Sequence, residues 1–212
     1  MARSSAAFDY RDAKQLFDQG DVDGLIAALD HPDVQRSHLL RGRLVRYLGN
    51  LMDRRAVPAL VKVLHEDNST PTRIFAAEGL GRIGDPRGLP PLREAAADPN
   101  RSVRLGAIRG LGDIRDRESV DRLVGCLNDD DSWIREYAAW ALGAIGDQRA
   151  TQALVKGTED SNGRVRKAAA LALVSLGDWN AIEPLREAHS RAGLFRGRVL
   201  GRALRELEDR FR

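Results

Sequence analysis

A spacing of 31 residues between similar blocks constrains this chain more than any other feature of its sequence. Four blocks that end in Asp keep this step, and an earlier block precedes them by 32 residues. The five blocks are Leu51-Met52-Asp53, Ile83-Gly84-Asp85, Ile114-Arg115-Asp116, Ile145-Gly146-Asp147 and Leu176-Gly177-Asp178. A repeat of this length is one supersecondary unit that cannot bury its apolar face alone, so the chain is predicted to stack such units around a shared core.

Three further columns keep the same period. The repeat Arg residues are Arg73, Arg104, Arg135 and Arg166. The loop Asp residues, 18 positions before the final Asp of each block, are Asp67, Asp98, Asp129 and Asp160. The column predicted to be buried is Leu80, Leu111, Leu142 and Leu173. We expect the Asp residues to cap helices and each Arg to tie neighbouring repeats together by charge-assisted hydrogen bonds. The alternative is that the Arg side chains form a line that binds an acidic partner.

The apolar pattern within one unit is helical. In the third repeat, residues at steps of three and four form one face: Val103, Ala107, Ile108, Leu111 and Ile114. After a short break, a second face follows: Val120, Leu123, Val124 and Leu127. This spacing predicts two amphipathic helices per unit. The final Asp of each block, called the turn Asp below, is expected to cap the second helix.

The unit VR-x-AAA-x-AL-x-x-x-GD-x-x-AIEPL, found from Val165 to Leu185, resembles the HEAT repeat. It is most similar to the short type first associated with phycobilisome lyase subunits, and the stretch from Ile134 to Val155 shares the pattern. The resemblance covers the chain from about residue 20 onward. It implies an all-α fold, a right-handed α-solenoid of about five to six tandem HEAT-like helical hairpins with a capping helix at the C-terminus.

These patterns predict a single repeat domain over residues 1–212. Its expected segments are an N-terminal cap hairpin at 8–33, repeats at 34–66, 67–97, 98–128, 129–159 and 160–190, and a capping helix at 191–212. Between Asp30 and Asp53 the chain has roughly five residues more than the later copies have in the matching segment. The capping helix is predicted from one apolar stripe: Phe195, Val199, Ala203, Leu204, Leu207 and Phe211.

The resemblance raises one catalytic possibility. Some HEAT-like enzymes hydroxylate a modified lysine with paired iron, held by His-Glu dipeptides just after the repeat Arg. The matching pairs here are Ile74-Phe75, Leu105-Gly106, Glu136-Tyr137 and Lys167-Ala168, and none is His-Glu. The single His65-Glu66 lies out of phase, and one dipeptide cannot supply a di-iron site. We therefore predict no metal site, no cofactor and no catalytic residue. Cys126, the only cysteine, is expected to be structural.

Three aromatic residues share one helix face. Trp133, Tyr137 and Trp140 are spaced i, i+4 and i+7. The Trp140 column in the other repeats is mostly charged, and the Trp133 column is also unlike core. An exposed aromatic stripe would be a hot spot for binding. The alternative is that the rings fill space left by Gly106 and Gly110 of the preceding repeat. Trp179 is a weaker candidate of the same kind.

A partner of a helical solenoid is expected on the concave surface lined by second helices. The candidate groove residues are Arg55, Arg87, Arg122, Arg149 and Lys156. Charges of both signs alternate along the predicted groove, which favours a protein or peptide partner over a uniformly charged ligand. Nucleic acid is the less favoured partner, since the C-terminal arginines are interleaved only with Phe195 and Phe211, both expected to face inward.

No stretch approaches the roughly 20 apolar residues of a membrane span, and the start lacks the apolar segment of a secretory signal. A cytoplasmic protein without a membrane partner is therefore expected. The main functional hypothesis is a non-enzymatic scaffold for protein–protein interaction. The resemblance supplies two alternatives: a bilin lyase-like subunit acting on phycobiliproteins, and a nucleic-acid-binding HEAT-like protein.

Overall fold

The computed structural model describes residues 7–191 and 194–211, without the side chains of 194–196, and within these ranges every regular element is helical. The predicted all-α repeat solenoid is confirmed. Two compact units, Met1–Gly110 and Leu111–Arg212, divide the chain within one helix. The finer segment boundaries predicted above stay a prediction.

Unit 1 contains seven complete α-helices and most of an eighth among its described residues. They are α1 Tyr10–Asp18, α2 Val22–Ala28, α3 Pro32–Arg36, α4 His38–Leu51, α5 Val57–Glu66, α6 Thr70–Ile83, α7 Leu89–Ala95 and α8 Arg101–Ile114. Helices α1 and α2 lie within the segment 8–33. The short helix α3 lies in the segment between Asp30 and Asp53 that has the extra residues, and it begins with Pro at its first position, where no backbone N–H is needed.

Unit 2 continues the pattern from the end of α8. Its described helices are α9 Val120–Cys126, α10 Ser132–Ile145, α11 Thr151–Gly157, α12 Gly163–Leu176, α13 Ile182–Arg191 and α14 Leu194–Arg210. The first helices of the five repeats, α4, α6, α8, α10 and α12, are all 14 residues long. Helix α14 packs on α12 and α13.

A 3-10 turn joins the first and second helix of each repeat, and the turn Asp caps this turn instead of the α-helix. The carboxylate of Asp53 accepts the backbone N–H of Arg55 at 2.8 Å, and that of Asp147 accepts the backbone N–H of Arg149 at 3.0 Å. The second helix then begins without a side-chain cap, because the 3-10 turn runs directly into it. The prediction of a capping role was right, and its target was one turn earlier than expected.

The inner faces of first and second helices form the core. The predicted Leu column is buried in both units, with Leu80 in unit 1 and Leu142 in unit 2 at 1% and 0% exposure. Burying such a side chain stabilises the fold by about 1.5–3 kcal/mol. At the C-terminal helix, Ala203, Leu204 and Leu207 are buried as predicted.

Phe211 departs from the predicted inward stripe. Its ring is 42% exposed and contacts the Trp179 ring edge-on at 5.3 Å between centroids. Helix α14 ends at Arg210, so Phe211 no longer follows the helical phase that places Leu207 in the core. The predicted inward position of Phe195 concerns a side chain outside the described part of the chain.

Neighbouring first helices contact each other closely at glycine and alanine residues. In unit 1, a Cβ on Gly81 would stand 2.5 Å from the Cα of Gly110. In unit 2, a Cβ on Gly143 would stand 2.8 Å from the Cα of Ala172. These distances leave no room for a methyl group, so the helices touch backbone to backbone. The small residues at these positions therefore serve helix packing.

Each first helix of the later repeats ends in a left-handed residue just before the turn Asp. Gly84, Gly146 and Gly177 have φ between +59° and +72°, which glycine adopts without strain. Met52 and Arg115 hold the same conformation, at φ 51° and 58°, with side chains that disfavour it. The repeat thus imposes one backbone path even where its sequence departs from glycine.

Candidate binding surface

The repeat Arg residues form a ladder through the loops. Arg135 donates to both oxygens of Asp160 in the next repeat, at 2.7 and 3.0 Å, and to the carbonyl of Asp129 at 2.8 Å. In unit 1, Arg73 pairs with one carboxylate oxygen of Asp98 in the next repeat and donates to the carbonyl of Leu64. Both partners are largely buried, and the Arg135 side chain lowers the pKa of Asp160. The predicted structural role of this column is confirmed.

A second ladder runs along the 3-10 turns, and it engages three of the predicted groove residues. Arg87 donates to both oxygens of Asp85, at 2.9 and 3.0 Å, and to the carbonyl of Arg54 in the preceding turn at 3.0 Å. The side chain and backbone N–H of Arg87 together lower the pKa of Asp85 to about 2. Sequence reasoning missed this ladder, because an Arg two residues after the turn Asp lies on the predicted groove side.

Arg149 and Arg55 repeat this arrangement in their own units. Arg149 donates to both oxygens of Asp147 and to the carbonyl of Arg117 at 2.7 Å. Arg55 pairs with Asp53 and with Asp23 at 2.6 Å. All three guanidinium groups therefore already bind carboxylates, so a partner would have to compete with intramolecular pairs.

The other two predicted groove residues carry unengaged charges. Arg122 on α9 and Lys156 on α11 are exposed, and neither forms an ion pair within residues 7–191 and 194–211. The structure thus divides the five groove candidates into three structural arginines and two available cations. Whether a partner touches any of them stays a prediction.

The predicted aromatic stripe lies on the surface of α10. Trp133 and Trp140 are 40% and 44% exposed, and Tyr137 is partly buried with its ring centre 6.5 Å from that of Trp133. Leu171 on α12 occupies the Trp140 position of the next repeat and is 51% exposed. Trp133, Tyr137, Trp140 and Leu171 are called the aromatic face below. Leu171 was not identified from the sequence as a surface residue.

Trp140 is packed on one side. A Cβ on Gly112 would stand 2.7 Å from Cζ3 of Trp140, so the ring rests on the glycine backbone of the preceding first helix. Under the alternative of pure packing, the rings would fill space left by Gly106 and Gly110. The nearest atoms around those two glycines belong to α6 and α7. A spacing of 28 residues, three short of the repeat, is the signal that could have identified Gly112.

The Trp133 ring is held in place by a neighbouring cation. The guanidinium carbon of Arg164 lies 3.7 Å from the centre of its ring, and Arg164 also pairs with Glu136 at 3.3 Å. A cation stacked on an indole ring is attracted by the negative ring face. Arg164 thereby holds Trp133 in one orientation, while Glu136 neutralises the added charge.

The donor set around the repeat Arg residues does not fit paired iron. The four pairs that follow the repeat Arg contribute a single carboxylate, that of Glu136, which is already bound to Arg164. The nearest acidic partner of His65 is Glu94, 3.9 Å away in an exposed pair. Within the described ranges, no cluster of three His, Cys, Asp or Glu side chains is placed to share a metal ion.

The family profile described as HEAT repeats matches residues 22–104 and 89–174 of this sequence. The chain belongs to the HEAT repeat family. A second profile, described as PBS lyase HEAT-like repeat, matches residues 165–188. The resemblance inferred from the 31-residue pattern is therefore confirmed.

Curated relatives include deoxyhypusine hydroxylases. The human protein is 40% identical over 77 residues, which is 36% of this chain and 26% of that protein. The Gallus gallus protein is 45% identical over 64 residues, 30% of this chain and 21% of that one. The matched segments thus span about a quarter of the length of these relatives.

Solved structures similar to this chain are helical repeat proteins. A designed armadillo repeat protein in complex with the peptide (KR)4 has a TM-score of 0.64 at 18% identity, covering 88% of this chain and 99% of that one. The complex of CpcE and CpcF of phycocyanin lyase from Nostoc has a TM-score of 0.57 at 22% identity, covering 96% of this chain and 90% of that one. These similarities establish the fold.

Within the described residues, no helix is both long enough and apolar enough to cross a membrane.

Proposed function

We propose that this chain is a non-enzymatic scaffold and binds a protein partner through its aromatic face. The observation that carries the proposal is the exposure of Trp133 and Trp140 at positions that are not aromatic in the other repeats. Residues required by the fold recur with the period, whereas these aromatic side chains appear once. Exposed Trp and Tyr side chains are the residues most enriched at binding hot spots.

The packing of the two Trp rings supports this role. Trp140 rests on Gly112, and Trp133 is stacked by Arg164, so neither ring is free to rotate widely. A surface whose side chains are already ordered loses little conformational entropy when a partner binds. The face is therefore preorganised for an apolar or amphipathic protein segment.

The known proteins of the same fold support a binding role by analogy. One binds a peptide, and another is half of a two-protein complex. The predicted groove remains part of the proposal through Arg122 and Lys156, whose charges are unengaged. The hydroxylase activity of the curated relatives is not proposed, because the residues after the repeat Arg lack the required histidines.

An affinity experiment tests the proposal. The full chain, its Trp133→Ala/Trp140→Ala variant and its Trp179→Ala variant are immobilised in parallel and exposed to extract of the source cells. Proteins retained by the wild type and by Trp179→Ala are expected to fall at least about tenfold with the double variant, measured by quantitative mass spectrometry. Trp179 is a matched control because it is another exposed tryptophan, at 60%.

Two outcomes would overturn the proposal. Equal retention by all three proteins, with the double variant folded by circular dichroism, would assign the two rings to packing alone. Recovery of nucleic acid only, released by raising the salt concentration, would favour the nucleic-acid alternative.

A lyase-like role on phycobiliproteins is a second candidate, favoured by the profile match at residues 165–188. It predicts visible absorbance from retained bilin when the chain is incubated with chromophore. Incubation of bilin with the heat-denatured chain gives the control for adventitious binding. Absorbance no greater than this control would remove the candidate.

A further inference from the structure

Two arginines of α4 contact aromatic rings, whereas other arginines of unit 1 pair with carboxylates. The guanidinium carbon of Arg43 lies 4.6 Å from the centre of the Tyr10 ring, and that of Arg46 lies 5.6 Å from the centre of the Phe75 ring. Neither pairs with a carboxylate in the part of the chain that the structure describes. Arg41 of the same helix, by contrast, pairs with Asp67 at 2.6 Å.

Stacking on a ring leaves such an arginine able to bind an anion. A guanidinium that lies over a ring keeps its charge and its planar set of five N–H donors. Arg43 and Arg46 are both partly exposed, so these N–H groups are accessible from solvent. The aromatic rings thus position two cations without neutralising them.

The hydroxyl groups of two tyrosines lie at the same place. Tyr47 is buried, its ring stacks on Phe17 at 4.3 Å, and its hydroxyl donates to the Tyr10 hydroxyl oxygen at 3.4 Å. Because the Tyr10 oxygen accepts this bond, its own proton remains available to a ligand. Tyr10 is 47% exposed, so a ligand can reach it.

The charge around Tyr10 is predominantly positive. Its pKa is lowered by the hydrogen bond from Tyr47 and then by the charges of Arg43, Lys14 and Arg46. The carboxylates of α1 have other partners. Asp18 binds Lys14, and Asp9 and Asp12 accept backbone N–H groups at the start of α1.

Beside Tyr10 and Lys14, an open depression of about 420 Å³ extends along α1 and, among the described residues, is lined by residues of the segment 10–19 alone. We propose that Tyr10, Arg43 and Arg46 form a binding site for a phosphate group, either the free ion or a small phosphate ester. Two forked cations and a hydroxyl donor suit a doubly charged anion with several acceptor oxygens better than a carboxylate. This site is independent of the aromatic face.

Titration of the full chain with inorganic phosphate, and separately with phenyl phosphate, tests the site by isothermal calorimetry at constant ionic strength. Saturable binding is expected, weakened about tenfold or more by Arg43→Gln or Arg46→Gln and about threefold by Tyr10→Phe. Arg109→Gln is the matched control, since Arg109 is exposed in the Arg46 column of a later repeat. Tighter binding of phenyl phosphate would identify an ester as the ligand, and equal binding the free ion.

Arg43→Lys and Arg46→Lys control for folding, because they keep the charge and lose the forked geometry. They are expected to bind phosphate with intermediate affinity while circular dichroism stays unchanged. Non-saturable heats in the wild type would overturn the site. Equal weakening by Arg109→Gln and by the α4 variants would also overturn it, since it would indicate a general effect of net charge.

Discussion

The outer faces of the first helices differ between the two units, although the same contact recurs on both. In unit 1, Arg43 rests on Tyr10 and has no carboxylate partner within the described residues. In unit 2, Arg164 rests on Trp133 and also pairs with Glu136. One carboxylate therefore decides whether an arginine stacked on a ring presents charge or merely orients an exposed aromatic side chain.

Beneath these outer faces, the two units share the same kinds of ion pair and helix contact. Each unit has an Arg–Asp pair across the loops, an Arg–Asp fork in the turns and glycine contacts between first helices. The comparison indicates that features with the 31-residue period maintain the fold, while features that break the period are available for binding.

Removing the loop ladder is expected to have the largest effect, and an equal one in both units. Arg73→Ala and Arg135→Ala each leave a largely buried Asp without its cation, which costs about 3 kcal/mol. Urea denaturation followed by circular dichroism measures the free energy of unfolding. A loss below about 1 kcal/mol in either unit would contradict the shared structural role.

Gly112→Ala is expected to cost about 2 kcal/mol and to displace Trp140, because the new methyl group would stand 2.7 Å from the ring and 3.0 Å from the Cα of Ala141. Partner retention should fall with stability, which would tie the aromatic face to the glycine beneath it. Gly125→Ala is the control. It meets no atom within 4 Å and should stabilise α9 by about 1 kcal/mol.

Glycine at the two irregular turns should stabilise both units alike. Met52→Gly and Arg115→Gly each remove a side chain from a left-handed residue and are expected to raise the free energy of unfolding by about 1 kcal/mol. Thermal melts of the two variants measure this. Destabilisation in one unit only would show that the backbone path is not shared.

The smallest effect on stability is expected from Glu136→Gln, which tests the difference between the outer faces directly. The pair is half exposed, so its loss should cost about 0.5 kcal/mol. Arg164 would then resemble Arg43, and phosphate should bind unit 2 detectably in calorimetry. Glu183→Gln is the control, because Arg186 keeps its second partner Glu208 at 2.6 Å. Gain of phosphate binding in both variants would contradict the explanation.

The sequence was sufficient to predict the periodic half of the molecule. Recurrence alone located the Arg–Asp ladder through Arg135 and the buried Leu142, since each needs only the period and helical geometry. The short helix α3 was visible only as roughly five extra residues, because a single unmatched segment has no column to define its conformation.

The contacts that sequence analysis did not predict depend on how far each repeat is offset from the next. The carbonyl oxygen of Arg54 accepts a hydrogen bond from Arg87, and the backbone of Gly112 contacts the Trp140 ring. Both contacts form because stacking brings together residues that are not separated by a whole repeat. Contacts such as Arg43 with Tyr10 also cross from a repeat to the N-terminal hairpin, which lacks the repeat pattern. Spacing within the sequence cannot give these distances.

The direction of the two ladders has a consequence for local opening. Arg135 finds its carboxylate 25 residues ahead in the chain, whereas Arg149 finds a carbonyl 32 residues behind. A repeat that unfolds therefore deprives the neighbours on both sides of a hydrogen-bond partner. Amide hydrogens of adjacent repeats in unit 2 should exchange with solvent in one cooperative step, so that fraying of a single hairpin is rare.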